Sequence, residues 1–298
     1  MARHDNIQIH SFWTKSRTFI FFMIPGLFFY TFFSIFPILM GIRYSFTDWN
    51  GFSPHFNNVF FANYMKIFHD DTFLNAMSFT FRYAFALLVT GTALSLFVAI
   101  ALDNKGKSIT FFRALYFFPA VLSMLTLGLI FNQIYYRALP ILADATGLVF
   151  LKGVLSTPSK AFWGVLFVHI WQSIPIPTIL FLAGLQTIPM EQIEAASIEG
   201  ANSWQCFWKV KLPFLYPTLT IVLVLFLKSG LLVFDNIMAM TGGGPAGSTI
   251  SLAYVIYLHG FTETKFSYSI AEAIFVGLII CVISALQISY SNRKKVVL

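Results

Sequence analysis

Residues 182–217 read LAGLQTIPMEQIEAASIEGANSWQCFWKVKLPFLYP, a polar interlude between two apolar runs. Pro189 fits the first position of a helix, where its missing N–H leaves nothing unpaired. Glu191 and Glu194 fall in the opening turns, where carboxylates favour the helix dipole. Ala195 and Ala196 are strong helix formers with almost no side chain, so another surface can come close. Gly200 supplies a left-handed cap. Asn202 and Gln205 stand at capping-box spacing for a second helix. Trp204, Phe207 and Trp208 give that helix an apolar face, and Leu212-Pro213 ends it. The spacing predicts helix, tight turn, helix. The residues alone leave two uses open: a hairpin lying on lipid headgroups, or one that another protein grips.

Working outward, the rest of the chain is membrane-like. Of its 298 residues 57% are hydrophobic and 10% charged, with mean hydropathy +0.75; soluble domains carry about 25% charged residues. Apolar stretches long enough to cross a bilayer as helices fall near 19–42, 78–102, 111–135, 162–184, 217–237 and 268–290. The expected fold class is all-α, a polytopic bundle of six transmembrane helices. Phe19 to Ile42 is too long for a signal-peptide core and lacks a cleavage site. An even number of spans places both termini on one side. Basic residues mark that side as cytoplasmic: Arg3, Lys15 and Arg17, then Lys105, Lys107 and Arg113, then Lys209 and Lys211, then Arg293-Lys294-Lys295. Other Lys and Arg sit on longer external loops. The scattered charge of +7 does not suggest nucleic acid. The expected organisation is a cytoplasmic segment 1–18, a transmembrane domain 19–290 containing the loop 185–216, and a basic tail 291–298. External segments 43–77, with a short helix near Asn63 to Phe68, 136–161 and 238–267 are too small for separate domains. Cys206 and Cys281 imply no disulfide framework.

Polar groups inside spans mark pathways or packed interiors. The candidates for a substrate pathway are Trp171, Gln172, Lys228, Phe234, Asp235 and Asn236, with Lys228 near the middle of the fifth span. His169, Asn132, Gln133 and Glu272 are also intramembrane. The competing reading is hydrogen bonding between helices, or an ion pair of the Lys228–Glu272 kind. No His or Cys set has metal-ligand spacing, and no G-x-x-x-x-G-K-[ST] loop is present. Gly242–Gly244 reads as a flexible turn relieving the fifth span.

Glu194-Ala195-Ala196, Gly200, Val210 and Leu212-Pro213 together resemble the EAA loop of ABC-importer permeases. Val210 stands where the family usually has Ile, and Glu199 where it has Asp. Leu182 to Gln186 with Ile188-Pro189 is similar to the carbohydrate-permease form. Likeness extends to Asn63-Tyr64 with Asp71 and Phe73, to Arg113 through Pro119, and to Phe234-Asp235 with Thr241 to Pro245 and Ser248-Thr249. The last run resembles the maltose-permease-type subunit. The resemblance implies a type I importer permease in a prokaryotic cell membrane, paired with a second permease subunit. It also implies a cytoplasmic ABC ATPase dimer that holds ATP and magnesium, an extracytoplasmic binding protein, and a sugar or oligosaccharide substrate. Glu194, Ala195, Ala196, Glu199 and Gly200 would form the ATPase-docking element, with Leu212 and Pro213 fixing its exit angle. No catalytic residue, metal or cofactor is expected in this chain. The alternatives are an importer for another solute, such as a glycerol phosphate, with Lys228 facing an anion, or an ion-coupled secondary transporter. The latter would show repeats with paired broken helices.

Overall fold

The computed structural model describes residues 20–103 and 116–293. Arg3, Lys15, Arg17, Lys105, Lys107, Arg113 and the tail beyond Arg293 lie outside the described residues. Among those described, every regular element is helical apart from one isolated bridge, Thr47 with Asn58.

The helices are α1 (Ile20–Tyr44), α2 (Ala62–Ile67), α3 (Asp71–Leu102), α4 (Met124–Gln133, prolonged through 134–146), α5 (Pro158–Ser173) and α6 (Pro175–Gln186). They continue as α7 (Met190–Ile198), α8 (Ser203–Phe214), α9 (Tyr216–Leu231), α10 (Asp235–Met240), α11 (Leu252–Thr262) and α12 (Phe266–Arg293). α1, α3 and α12 are each long and apolar enough to cross a membrane alone. α5 with α6, bent by 47°, and α8 with α9, bent by 73°, each pass as a bent pair. The third predicted span is interrupted at Leu122-Ser123, and its first residues lie outside the described range. The six predicted spans are therefore not six straight helices. The second starts at Asp71, seven residues before its predicted start, because Asp70 caps it by accepting from the N–H groups of Thr72 and Phe73 at 2.9 and 3.2 Å.

Proline explains the widened turns. These occupy Thr31–Ile35, Ile134–Ala138 and Phe207–Lys211, and each is followed, after one intervening residue, by Pro37, Pro140 or Pro213. Proline cannot donate to the carbonyl four residues back and its ring crowds that carbonyl. Adding one residue to the preceding turn relieves both problems without breaking the helix. Thus Leu212 donates to Phe207 O, five residues back. Pro213 consequently does not end α8, as the sequence suggested; the helix runs on to Phe214 and breaks at Leu215.

The chain forms two compact units, one built from residues up to Lys66 with His259–Ile274, the other from Ile67–Leu258 with the chain from Phe275 onward. In the first, α1 exposes a ladder of Phe28, Phe32 and Phe36, and of Phe29 and Phe33, with stacked rings about 6 Å apart. That surface suits lipid. The Thr47 and Ser267 hydroxyls bond at 2.9 Å, and the Ser267 N–H donates to Trp49 O. Glu272, which the sequence offered as a partner for Lys228, meets His259 Nδ1 at 2.8 Å, both buried.

In the second unit α3 is the central helix. α9 crosses it so closely at Gly230 that a Cβ there would lie 2.6 Å from Ala84 Cα, the small-residue packing typical of membrane helices. α6 meets α3 where Thr178 Oγ1 donates to Ser95 O at 3.3 Å. α10 lies against α4, where Asn132 Nδ2 donates to Met240 O at 2.7 Å. Phe181, Leu215, Val222, Phe226 and Ile237 fill the core between these helices.

Candidate functional site

The hairpin α7–α8 is built almost wholly from local bonds. Pro189 sits at the N-cap, extended at ψ 131°, one position before its predicted place, so α7 begins at Met190. At the other end Gly200 is left-handed, φ +84°. The Gly200 N–H donates to Ser197 O at 3.1 Å and the Ala201 N–H to Ala196 O at 2.9 Å, the paired bonds of a Schellman ending. The next residue opens α8. Asn202 Oδ1 accepts from Gln205 N–H at 2.8 Å and Gln205 Oε1 from Asn202 N–H at 3.0 Å, a complete capping box.

Glu191, Glu194, Ala195, Glu199 and Gly200 are all exposed, and Ala196 is half-buried. α7 therefore offers carboxylates and a small-residue face. Trp204 and Trp208 meet edge-on, centroids 5.5 Å apart, and both are exposed. Leu212 and Pro213 are half-buried next to the 73° bend. Such a hairpin can be gripped by another protein without disturbing the bundle, because its bonds close on themselves.

The six pathway candidates separate. Lys228 lies in the last turn of α9, because the helix stops at Leu231. Lys228 and Asp235 are exposed. Phe234 lies half-buried at the break between α9 and α10, its ring 5.5 Å from that of Tyr257 and 6.0 Å from that of Tyr254. Trp171 packs edge-on to Phe131, and Gln172 donates to Leu122 O at 3.2 Å, where the helix of 116–121 is interrupted. Asn236 is fully buried. Its amide lies beside the Tyr83 hydroxyl without a well-formed hydrogen bond to either amide atom.

Asn236 thus adjoins a buried relay. Tyr83 OH bonds His169 Nδ1 at 3.0 Å, and His169 Nε2 bonds Ser229 Oγ at 2.8 Å. This joins α3, α5 and α9. The break between α9 and α10 is bonded from outside by Ser251, which donates to Val233 O at 2.6 Å, and the residue after Ser251 is held in turn by Thr80, whose Oγ1 accepts the Leu252 N–H at 2.9 Å. Sequence reasoning noted His169 but missed Tyr83, Thr80, Ser229 and Ser251, whose partners are 18 to 172 residues away. Nothing local signals them. The glycine turn was also misread as flexible. Thr241 and Thr249 hydroxyls meet at 2.8 Å, Thr249 also donates to Gly244 O at 2.6 Å, and the Thr249 N–H donates to Gly243 O at 3.1 Å.

Residues 136–296 match the family described as binding-protein-dependent transport system inner membrane component. The chain belongs to this family. The permease is 43% identical over 276 residues to the multiple sugar-binding transport system permease protein MsmF of Streptococcus mutans, covering 92% of this chain and 95% of that protein. It is 34% identical to the probable starch degradation products transport system permease protein AmyD of Thermoanaerobacterium thermosulfurigenes, covering 87% and 89%. Its fold matches a chain in the crystal structure of a bacterial ABC transporter importing the acidic polysaccharide alginate, with TM-score 0.83 at 18% identity, over 97% of this chain and 100% of that one. The family consists of transport components of the inner membrane, and the permease has their all-α membrane fold.

Proposed function

We propose that this permease imports sugars or oligosaccharides, forming a translocation pathway with a second permease subunit. An extracytoplasmic binding protein delivers the sugar, and a cytoplasmic ATPase dimer supplies the driving force. The relatives named for multiple sugars and for starch degradation products support the substrate class. ATP and magnesium belong to the ATPases in this reading. Both termini and the 185–216 loop face the cytoplasm, as the basic flanks favour.

The observation that carries the coupling assignment is the self-bonded, solvent-exposed α7–α8 hairpin. Glu194, Ala195, Ala196, Glu199 and Gly200 form the face that an ATPase receives. The widened turn before Pro213 and the bend at Leu215 fix the angle at which α8 hands motion to α9. Because α9 crosses α3 without clearance at Gly230, a displacement of the hairpin is passed to the bundle rather than absorbed. The pathway is proposed to draw on Lys228, Asp235 and Phe234 at the break, with Trp171, Gln172 and Asn236 behind it.

The test is purification of the tagged permease in gentle detergent, identification of its partners by mass spectrometry, and reconstitution of the recovered assembly into liposomes. A second permease and a P-loop ATPase, with binding-protein-dependent, ATP-driven uptake of labelled oligosaccharide, is the expected result. Recovery of the chain alone, with uptake that survives ATP depletion, would refute the proposal.

A further inference from the structure

The segment between α1 and α3 carries an apolar face that transport does not explain. It is not a loose loop. Asn63 Nδ2 donates to Ser45 O and Thr47 O, both at 2.8 Å. Ser45 Oγ and Tyr64 OH bond at 2.8 Å, and the Val59 N–H donates to Phe46 O at 2.8 Å. These bonds tie the start of α2 to the residues that directly follow α1.

On that brace Phe60, Phe61 and Met65 are 71%, 66% and 60% exposed. Phe60 is left-handed, φ +48°, a conformation that costs a bulky residue about 1–2 kcal/mol. Such strain persists only where the surroundings impose it, and here it turns two successive rings outward. Phe61 also meets Phe46 edge-on, centroids 5.4 Å apart. No charged residue occurs from Phe56 to Met65. Lys66 lies at the margin, its ammonium 4.4 Å above the Tyr268 ring.

From this geometry we infer that Phe60, Phe61 and Met65 seat the segment in the headgroup–acyl boundary of the leaflet reached by the C-terminal end of α1. Height supports this. α1 has 25 residues, about 37 Å at helical rise, against a hydrocarbon core of about 30 Å. That is more than the core holds, and the charged Arg43 in its last turn favours headgroup level for this end, to which Asn63 ties α2. Chemistry supports it too. Aromatic side chains concentrate at membrane interfaces, and short amphipathic helices lie in them.

The test uses nitroxide labels on the whole transporter in lipid nanodiscs, with Cys206 and Cys281 replaced by alanine. Labels at Phe61→Cys and Met65→Cys are compared with one at His55→Cys, an exposed residue in the loop between Thr47 and Asn58. Collisions with oxygen should exceed those with an aqueous nickel chelate at 61 and 65, and the order should reverse at 55. Dominance of the nickel chelate at 61 and 65 would overturn the inference, placing the face in water. Shielding from both reagents would overturn it as well, placing the face against the binding protein or another subunit. If the cysteine-free chain does not assemble, Phe61→Trp and His55→Trp in brominated lipid give the same reading. Stronger bromine quenching in the Phe61→Trp variant than in the His55→Trp variant is expected, and equal quenching refutes it.

Discussion

The α7–α8 hairpin and the polar relay around the α9–α10 break are opposite solutions to placing polar groups in an apolar chain. In the hairpin, the bonds that end α7 and open α8 join residues at most five apart, and the functional face points outward. In the relay, Tyr83 and His169 are 86 residues apart, His169 and Ser229 are 60 apart, and all three side chains point inward. One is a part that can be handled from outside. The other exists only when the bundle is assembled. Damage to the first should impair coupling while sparing the fold, and damage to the second should do the reverse.

The largest expected effect breaks the hairpin. Gly200→Val places a β-branched residue at φ +84°, where the left-handed conformation is strained by at least about 1–2 kcal/mol. Nothing lies within 4 Å of the added Cβ, so the failure is one of backbone, not packing. We expect ATP-driven uptake to fall about tenfold or more, since 1.4 kcal/mol of docking energy is a factor of ten. Membrane insertion and the thermal midpoint of the permease should hardly move. Uptake at the wild-type rate in a correctly assembled Gly200→Val transporter would remove the hairpin from the coupling path.

Next comes the relay. His169→Leu keeps the volume roughly constant but leaves Tyr83 OH and Ser229 Oγ without their partner. A buried polar group left unpaired costs about 1–3 kcal/mol, and membrane helices sometimes recover part of it. The expected signature is a lower melting temperature of the purified assembly, with residual uptake per folded molecule retained. Tyr83→Phe should give the milder version. If His169→Leu melted like wild type, the relay would hold nothing together.

These contrasts also say what was legible in the sequence. The hairpin was read nearly residue by residue because Gly200, Asn202 and Gln205 act on their own neighbours. The slips there were small and of one kind. Pro189 was placed one position inside the helix, and Pro213 was taken as a stop, although a widened turn carries α8 past it. The spans were legible as apolar length, since any 20-residue apolar run reads alike. Their breaks were not: α9 stops at Leu231, and the open Val233 carbonyl beyond it is taken by Ser251 from a later segment. That stop puts Lys228 in the last turn of a helix rather than in its middle. Tyr83, Ser229 and Thr80 could not be found at all, because each looks like any polar residue in a span until its partner is brought up to it.

A smaller effect sharpens the comparison within the hairpin. Asn202→Ala removes the acceptor that bonds the Gln205 N–H but leaves the Gly200 turn intact. Losing such a cap costs about 1 kcal/mol, within a range of about 0.5–2. Uptake should fall measurably but less than in Gly200→Val, and Asn202→Ser should restore most of it. Equal losses in Asn202→Ala and Gly200→Val would mean that the hairpin tolerates no fraying, so that its rigidity rather than its turn is what an ATPase requires.

The smallest effect lies in the segment between α1 and α3, where local bonding can be titrated. The Asp48 carboxylate accepts from the Asn57 backbone N–H at 2.6 Å and from Asn57 Nδ2 at 3.2 Å. These bonds, the backbone one foremost, hold its pKa below the usual aspartate value. A carboxyl depressed in the folded state stabilises the structure above its unfolded pKa and loses that contribution as pH falls through the folded value. The 48–57 bridge should therefore be whole at neutral pH and loosen only below the ordinary aspartate range. Asp48→Asn should be loosened already at neutral pH and show no further acid step. Label mobility at His55→Cys, followed from neutral to strongly acidic pH, reads both. The group is fully solvent-exposed, so the change should be confined to the loop between Asp48 and Asn57, leaving Asn63 and its bonds to Ser45 and Thr47 in place. If acidification instead mobilised labels at position 61 and at position 55 together, the segment would be a single cooperative piece. Locally bonded regions of this permease could then no longer be treated as independent of what they are attached to, and that would count against the coupling hairpin as much as against this segment.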